Sequence, residues 1–535
     1  MKVSDYLVKL LEENDITDIF GIPGVGCGHF MNSMIDSKIT SHLTYHEQGA
    51  AFAACGYAQA SHKIGMAYTT AGPGGTNLVT GIANAYADSI PTIFMVGEKD
   101  LAELKGGLNV RQKASQEVDI TDVCRPITKW SYQIRKKEEV RYVFEKAFYI
   151  AKSERPGPVL IDMPSDIARE ELDIELQEGF HPKKNPVQNK YLSLIITELE
   201  RSKKPLILAG NAMKQEQLEE SLTELTQKLN IPIVSTLVAF DCFTGVHNYL
   251  GYIGMDGDPV ANKAVRECDL LITMGARLNF KQIGYKRDKF APQARIIRID
   301  ADQAELDYKL GREMAVCADV RDILSYLWSN VSSLKKFDES WMDWCIEERK
   351  ISNKAGSLNP IGDQFMSAIA ETFPKNMPIA VDTGSHRRWL MSQIKFKEGQ
   401  RVYQSAGLAS MGYALPASIG IYYASHSPVI CVDGDGGIMM NLQEMQLIKR
   451  ENIPVVLFVF NNHALGDIME FQKRIFHKNY FTTTEGSGYQ AADYEGIAKA
   501  FGFAYTKIQT MEDVKKISYD FNGPQLVEVL LPSNE

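Results

Sequence analysis

PVICVDGDG (428–436) and PVVLFVFNN (454–462) are two short apolar segments that end in Gly or Asn, and a helical pattern opening at about Met440 separates them. Short runs rich in β-branched residues on either side of a helix are typical of a strand–helix–strand unit in a parallel sheet. Asn462 lies 27 positions after Asp435, and each residue closes a predicted strand. We therefore expect both side chains at the carboxyl edge of one sheet, where open α/β sheets bind ligands.

The same alternation of strands and helices extends along the whole chain. Seven further predicted strands are GMAYTT (65–70), PTIFMVG (91–97), PVLIDMP (158–164), KPLILAG (204–210), DLLITMGA (269–276), RIIRIDA (295–301) and PIAVDTG (378–384). Polar stretches at 178–190 and at about 335–360, the second with a helix and a turn, are predicted linkers. The sequence thus predicts an α/β fold of three doubly wound parallel-sheet domains: 1–175, a Rossmann-like central domain at 190–340, and 355–535.

Composition excludes several classes of protein. The 535 residues are 44% hydrophobic and 23% charged, as in globular proteins, and the net charge of −9 argues against a nucleic-acid or anionic-membrane partner. The first fifteen residues form an amphipathic helix pattern rather than a secretory signal, and no run reaches the ~18 apolar residues of a membrane span. Eight scattered cysteines without a CxxC pair predict reduced, mostly buried thiols in a cytoplasmic protein, without a zinc site.

The residue types of the GDG segment suit a diphosphate held through a metal ion. Gly434, Gly436 and Gly437 allow the backbone to approach a phosphate and to present N–H donors. An Asp435 carboxylate, an Asn462 side-chain oxygen and a nearby backbone carbonyl form a hard oxygen set for a small divalent cation. GDG alone is also common in tight turns, so the specificity lies in GDG and NN together, each closing a strand.

This combination resembles the cofactor-binding signature of thiamine-diphosphate-dependent enzymes. The resemblance implies that Asp435, Asn462 and the main-chain oxygen of Ala464 hold Mg²⁺. It also implies that the neighbouring Leu465 and Gly466 line the cofactor site. The last domain would then be the diphosphate-binding domain of this family, and the first its pyrimidine-binding domain.

Glu47 is the candidate activating acid of such an enzyme. A thiamine enzyme needs a partly desolvated carboxylic acid on the pyrimidine ring. Glu47 precedes a small, apolar helix (Ala50 to Ala60) that must pack closely, so we expect its site to be largely dry. The residues alone equally allow an ordinary carboxylate at a helix N-terminus. However, residues 46–97 resemble the pyrimidine-binding domain of the acetolactate synthase group, whose matching glutamate is the activator.

The resemblance implies further site residues. In the first domain these are Pro23, Gly24, Thr70, Pro73 and Asn77, with Gln116 as a catalytic glutamine. In the last domain they are Gly384, Ser385 and His386 near the diphosphate, and Ala409 with Met411, the methionine that wedges thiamine into its bent shape. GIPGVGCG (21–28) is not a GxGxxG fingerprint and no acid sits at the ribose position, so NAD is rejected.

The chain departs from acetolactate synthases at positions that shape the acceptor site. Ser115 replaces the usual phenylalanine, Asp467 a methionine, and Phe471 a tryptophan. Leu278 to Lys281 stand where the group carries an acidic pair and an arginine. Lys281 could pair with an anion or be a solvated lysine. The donor half-reaction is expected to be intact and the acceptor pocket rebuilt.

These observations predict a thiamine-diphosphate- and Mg²⁺-dependent carboligase that decarboxylates a small 2-keto acid such as pyruvate and transfers the acyl carbanion to an aldehyde, ketone or keto acid. Alternatives are a carboligase acting on a keto-sugar nucleotide, a simple 2-keto-acid decarboxylase, an oxidase that uses FAD, and a protein that has lost catalysis. FAD in the central domain stays open, because 206–214, 254–262 and 274–279 match its segments only in part. The acid and the metal site fall in different domains, so a homodimer or homotetramer with interfacial active sites is expected.

Overall fold

The computed structural model describes residues 1–182, 189–308, 310–351 and 360–532. The chain divides into two compact units, Met1–Pro182 with Asn359–Glu535, and Lys183–Leu358. The described residues form three parallel six-stranded sheets with helices between the strands. The predicted α/β class with three parallel sheets is therefore confirmed.

The first sheet belongs to the first unit and has the order β2-β1-β3-β4-β6-β5. Its strands are β1 Asp18–Gly21, β2 Thr40–Leu43, β3 Gly65–Thr70, β4 Thr92–Glu98, β5 Trp130–Gln133 and β6 Pro158–Pro164. Its helices are α1 Val3–Glu13, α2 Gly28–Met34, α3 Glu47–Ser61, α4 Pro73–Asn77, α5 Val79–Asp88, α6 Ile120–Cys124, α7 Val140–Lys152 and α8 Ser165–Arg169. The neighbouring interior strands β4 and β6 are buried along their whole length, which is why their sequences are mostly apolar runs.

The second unit contains the middle sheet, with the order β12-β11-β10-β7-β8-β9. Its strands are β7 Pro205–Ala209, β8 Ile233–Ser235, β9 Tyr249–Tyr252, β10 Leu270–Met274, β11 Arg295–Asp300 and β12 Glu313–Cys317. Its helices are α9 Asn189–Arg201, α10 Asn211–Gln215, α11 Glu219–Leu229, α12 Pro259–Glu267, α13 Phe280–Ile283, α14 Gln303–Asp307, α15 Val320–Asn330 and α16 Glu339–Ile351. Leu278 is buried and Lys281 is exposed at the start of α13.

The third sheet, in the first unit, has the order β14-β13-β15-β16-β18-β17. Its strands are β13 Ile379–Val381, β14 Val402–Gln404, β15 Val429–Gly434, β16 Val455–Asn461, β17 Ala504–Ile508 and β18 Gln525–Leu530. Its helices are α17 Pro360–Thr372, α18 Ser385–Gln393, α19 Ala414–Ser425, α20 Met445–Arg450, α21 Gly466–Ile475 and α22 Tyr494–Phe501. β15 and β16 pair in parallel with Gly434 opposite Phe460, so the GDG and NN segments leave the sheet at the same edge, as predicted.

One helix prediction in this region was wrong. No α-helix opens at Met440: two 3₁₀ turns, Ile438–Met440 and Leu442–Glu444, precede α20. Asn441 between them has a non-helical backbone (φ −139°, ψ 33°), and its side-chain amide donates to the Gly412 carbonyl at 2.8 Å. This tertiary hydrogen bond competes with helix continuation at that residue.

Helices α3 and α19 cross closely inside the first unit. A Cβ atom at Gly56 would lie 2.2 Å from the Ala417 carbonyl oxygen, and one at Gly420 would lie 1.8 Å from that of Ala53. Residues of both helices share one hydrophobic core. The small residues of the predicted Ala50 to Ala60 helix are therefore explained by a backbone contact with the last third of the chain.

The remaining predictions concern the chain ends, linkers and cysteines. The amphipathic N-terminal helix is α1, and the helix of the second linker is α16. The turn of that linker (352–359) and residues 183–188 of the first linker lie outside the described residues. All eight cysteines are free thiols and six are buried. No helix in the described part of the chain is long and apolar enough to cross a membrane.

Candidate active site

Asp435 is a buried carboxylate at the turn that follows β15. Its Oδ1 accepts the Gly436 N–H at 3.0 Å and its Oδ2 accepts the Ala464 N–H at 3.3 Å. The hydroxyl of Tyr489 also bonds its carboxylate, and the hydroxyl of Tyr494 donates to its main-chain oxygen at 2.6 Å. Burial raises the pKa of Asp435 to about 7, so the site favours either a proton or a cation on this carboxylate.

Asn462 and Ala464 complete the predicted oxygen set. Both are buried in the loop after β16, and the Ala464 hydrogen bond joins this loop to Asp435. A side chain at Gly466 would meet the Asn462 amide nitrogen at 3.0 Å. Among the described residues no cluster of three or more His, Cys, Asp and Glu side chains could hold a metal. The candidate site instead offers one carboxylate, one amide oxygen and one carbonyl, a set that fits Mg²⁺ with phosphate oxygens as further ligands.

The glycines of the GDG segment have different neighbours. A Cβ at Gly436 would lie 2.6 Å from Leu465 Cδ2 and 3.6 Å from Met411 Cε, so this glycine brings the predicted wedge methionine next to the turn. A Cβ at Gly434 would lie 3.0 Å from the His386 ring. A Cβ at Gly437 would collide with the Asp433 carboxylate at 2.2 Å. These positions exclude side chains, as a phosphate-binding backbone requires.

The segment 384–386 begins helix α18 beside the GDG turn. Gly384 has φ +156°, and the ring of His386 would stand 2.6 Å from a Cβ placed there. His386 is buried, and its Nε2 donates to the Asp382 carbonyl at 3.1 Å. Burial lowers the pKa of His386 to about 4, which makes it a neutral imidazole at neutral pH. Ser385 Oγ donates to Asp467 Oδ1 at 2.5 Å.

The loop that carries Ala409 and Met411 is tied to the first third of the chain. Ser405 Oγ contacts Asn84 Oδ1 at 2.5 Å, and the Gly407 N–H donates to Asp88 Oδ1 at 2.6 Å. Ala409 has φ +58°, a conformation that non-glycine residues rarely adopt. Such local strain is held by surrounding contacts and is frequent at ligand sites.

Sequence reasoning missed two acids and two tyrosines near Asp435. Asp382 and Asp433 are buried, and burial raises the pKa of Asp382 to about 6 and that of Asp433 well above its usual range. Both acids close strand segments that the sequence identified, β13 and β15, which was a usable signal. Tyr489 and Tyr494 lie in a polar region far along the chain and carried no local signal.

Glu47 is the first residue of α3. The Asn77 side chain, at the end of α4, donates to its Oε2 at 2.9 Å, so these two predicted site residues are in contact. The helix is capped by His46, whose Nδ1 accepts the Gln48 N–H. Glu47 is only partly buried within the single chain, so the predicted dry environment is not present among the described residues of one chain. Glu444 lies near enough for the charge of Glu47 to add to burial in raising the Glu444 pKa to about 7.

The other predicted residues of the first domain lie on neighbouring loops at the carboxyl edge of the first sheet. Gly24, which follows Pro23, would place a Cβ 2.5 Å from Thr70. Gly72 packs against Gln116, which has φ +68°. Pro73 begins α4 directly after Gly72. In the first domain the structure thus places Glu47 against Asn77, Gly24 against Thr70, and Gln116 against Gly72. The predicted residues of the last domain form a separate group around Asp435.

Three sequence profiles of thiamine pyrophosphate enzymes match the chain. The N-terminal TPP binding domain matches residues 1–123, the central domain residues 192–327, and the C-terminal TPP binding domain residues 382–529.

Similar proteins extend over the full chain. A probable acetolactate synthase large subunit of Methanocaldococcus jannaschii is 35% identical, with 100% of this chain and 93% of the relative aligned. An acetolactate synthase large subunit of Pyropia yezoensis is 31% identical over 99% of this chain and 92% of its own. The chloroplastic acetolactate synthase 1 of Nicotiana tabacum is 32% identical over 100% and 82%.

Proposed function

The chain belongs to the thiamine pyrophosphate enzymes and is acetolactate synthase-like, and on this premise we propose that it is a Mg²⁺-dependent carboligase. Its donor is a small 2-keto acid, with pyruvate as the first candidate, and its acceptor is an aldehyde, ketone or keto acid. When bound, thiamine diphosphate supplies the electron sink that lets a 2-keto acid lose CO₂ and its acyl carbon join a carbonyl compound. The single observation that carries the proposal is that one chain contains both an acid at a helix start, Glu47, and a buried carboxylate at a GDG turn, Asp435.

The metal side of the site follows from the charge of Asp435. A carboxylate that is 3% exposed has its charged form disfavoured by burial, and its pKa rises to about 7. A divalent cation reverses this preference, because it compensates the negative charge directly. Asp435, Asn462 and the Ala464 carbonyl would hold Mg²⁺, and Gly434, Gly436 and His386 would surround the diphosphate.

The acid side of the site depends on Glu47. Asn77 donates to Glu47 Oε2 and orients the carboxyl group, and none of the described residues hydrogen-bonds Oε1. Glu47 Oε1 would hold a proton toward the pyrimidine ring of the cofactor. Gln116, on a neighbouring loop, would contact substrate. An acid at this position needs a drier environment than one chain provides, which supports completion of the site by a second subunit.

The reaction is tested by incubating the purified protein with thiamine diphosphate, Mg²⁺ and pyruvate. Acceptors are offered one at a time, including 2-keto acids, aldehydes and keto-sugar nucleotides, and products are identified by mass spectrometry. A carboligated product is expected. Free aldehyde alone would indicate a decarboxylase, a carboxylic acid would indicate an oxidase that uses FAD, and an absence of turnover would contradict the proposal.

Two variants separate the roles of the site residues. Glu47→Gln is expected to lower turnover by about 10²- to 10⁴-fold while cofactor binding persists, since it removes the acid but not the phosphate contacts. Asp435→Asn is expected to weaken Mg²⁺-dependent cofactor binding, measured by isothermal titration calorimetry. Unchanged binding and turnover in Asp435→Asn would contradict the metal assignment.

Mixing these two variants tests the proposed homodimer. If each active site combines Glu47 of one chain with Asp435 of its partner, a statistical mixture recovers up to about one quarter of the wild-type activity. If both residues act within one chain, no subunit exchange restores activity. Sedimentation analysis of the same mixture establishes whether dimers or tetramers form.

A further inference from the structure

Arg388 and Asp467 form an ion pair between helices α18 and α21. Arg388 Nη2 lies 2.9 Å from Asp467 Oδ1, and the side chains are 41% and 37% exposed. Ser385 Oγ donates to the same carboxylate oxygen at 2.5 Å, and Arg388 Nη2 lies 3.4 Å from Ser385 Oγ. The guanidinium is therefore anchored on one side and accessible to solvent on the other.

The pair borders the candidate cofactor site. Asp467 directly follows Gly466. A Cβ atom at Gly466 would lie 3.0 Å from the Asn462 amide nitrogen and 3.2 Å from Ser385 Oγ, so the glycine lets both side chains approach. Leu465, two positions before Asp467, packs against Gly436 of the GDG turn. Both residues of the ion pair thus belong to the first turns of helices that begin beside the GDG turn, α18 after β13 and α21 after β16.

Arg388 keeps hydrogen-bond donors for a ligand. Its polar contacts with the described residues are made by Nη2, and none is made by Nε or Nη1. A planar guanidinium with free N–H groups binds carboxylates and phosphates in a fork geometry that lysine does not offer. The adjacent Arg387, whose Nη1 donates to the Ser405 carbonyl at 3.0 Å, adds a second positive charge close by.

We propose that Arg388, held in place by Asp467 and Ser385, recognises an anionic substituent, a carboxylate or a phosphate, on the acceptor substrate. This inference rests on the proposed carboligase function and names the substrate class of its second half-reaction. An exposed Arg–Asp pair can also be an ordinary surface ion pair that contributes little to stability. The shared Ser385 contact, the remaining donors and the position at the cofactor site favour recognition.

The donor is a less suitable ligand for Arg388. The donor carboxylate leaves as neutral CO₂, so a cation that binds it stabilises the starting state more than the decarboxylation transition state. An anion on the acceptor persists through the reaction. Arg388 therefore serves the step in which the acceptor is bound.

The test compares two-carbon aldehyde acceptors with pyruvate as the donor: glycolaldehyde, which is neutral, glyoxylate, which carries a carboxylate, and glycolaldehyde phosphate. Arg388→Met removes the charge at similar length. It is expected to raise the KM of at least one anionic acceptor about 10- to 100-fold relative to glycolaldehyde, the range for lost hydrogen bonds to a charged group. Arg388→Lys is expected to recover part of this loss. The aldehyde with the larger effect identifies carboxylate or phosphate as the substituent.

Lys395→Ala is the matched control, because Lys395 is an exposed cation near the end of α18 that faces Glu371 at 3.8 Å. It is expected to leave every KM unchanged. The inference is overturned if Arg388→Met changes the three acceptors alike or changes none. CO₂ release from pyruvate by wild type, measured first without an added aldehyde, distinguishes a failure of the Arg388 inference from a failure of the proposed function. An absence of CO₂ release would contradict the proposed function itself.

Discussion

Asp435 is a buried carboxylate whose hydrogen-bond partners are uncharged, so its environment suits a cation from outside the chain. Its carboxylate is nearly inaccessible, yet its hydrogen bonds come from backbone N–H groups and a tyrosine rather than from a cation. Hydrogen bonds lower its pKa, but burial outweighs them. The proposed Mg²⁺ ion would relieve this imbalance, and cofactor binding would then be coupled to the local stability of the GDG turn.

Tyr494→Phe tests this coupling. The change removes the 2.6 Å hydrogen bond to the Asp435 main-chain oxygen in a fully buried position. We expect a loss of about 1–3 kcal/mol in the free energy of unfolding, measured in urea, and weaker binding of thiamine diphosphate with Mg²⁺. The cofactor effect follows because the turn that presents Asp435 loses one of its anchors.

Tyr505→Phe is the control for this prediction. Its hydroxyl donates to the Glu528 carboxylate at 2.5 Å, outside the GDG turn, so a similar loss of stability should leave cofactor affinity unchanged. Equal losses of cofactor affinity in both variants would show that general destabilisation, and not the Asp435 contact, is responsible.

At this scale the sequence predicted the residues whose chemistry is local. Gly434, Asp435 and Asn462 stand at strand ends with recognisable spacing, and the structure places them at one edge. Tyr494 could not be predicted, because it reaches Asp435 across 59 positions through the tertiary fold. The exposure of Glu47 in the single chain also differed from expectation, since burial depends on the tertiary packing around a residue and not on its local sequence.

Some strands can be predicted from the sequence and others cannot. The nine predicted strands correspond to strands of the structure, and β3 (65–70) and β6 (158–164) agree at both ends. Those not predicted include β2, β5 and β17, whose residues are largely exposed or half-buried and lie at or near sheet edges. A strand covered on one side only has no continuous apolar run, so its pattern is weak.

The crossing of α3 and α19 gives a prediction at the scale of elements. Gly→Ala in a helix normally stabilises by about 0.5–1 kcal/mol. In Gly420→Ala the new Cβ would lie 1.8 Å from the Ala53 carbonyl oxygen, and a backbone atom cannot move aside as a side-chain end can. We expect the collision to dominate and to destabilise the protein by about 1–3 kcal/mol or more, measured by urea unfolding.

Gly28→Ala provides the comparison, since it is a helical glycine (φ −57°) with no atom within 4 Å of its added Cβ. Its effect should be neutral or slightly stabilising. A Gly420→Ala protein as stable as wild type would mean that the two helices separate easily, and that their contact does not fix the first unit.

At the scale of the whole molecule, the first unit joins the beginning and the end of the chain. His42 of β2 is buried between Asp18 Oδ1 at 2.9 Å and Glu451 Oε2 at 2.7 Å, a contact that spans 409 positions. Its ring stacks on Tyr423 at 3.7 Å. Ionised carboxylates only accept hydrogen bonds, so both ring nitrogens must donate and the imidazole must be protonated.

The protonation of His42 predicts a pH-dependent stability. Burial alone would lower the pKa of His42, but the hydrogen bonds with Asp18 and Glu451 outweigh it and raise the pKa above the ordinary value of about 6.5. A raised pKa means that the folded state binds the proton more tightly. The stabilisation is therefore complete below pH about 6.5 and is lost as the pH rises through the folded-state pKa.

His42→Asn removes this titration. We expect the difference in unfolding free energy between wild type and variant to be larger at pH 6 than at pH 9, by about 1–3 kcal/mol, the range for hydrogen bonds to a charged group. Because the chain has two compact units, hydrogen exchange of the amides in β2 should accompany urea unfolding, so that the effect is assigned to the unit that contains His42. His181→Asn, at an exposed histidine, should leave the pH dependence unchanged. If the difference in unfolding free energy between wild type and His42→Asn does not depend on pH, the ring stabilises the unit through packing alone. The contacts of His42 with Asp18 and Glu451 would then contribute no charge-dependent stability.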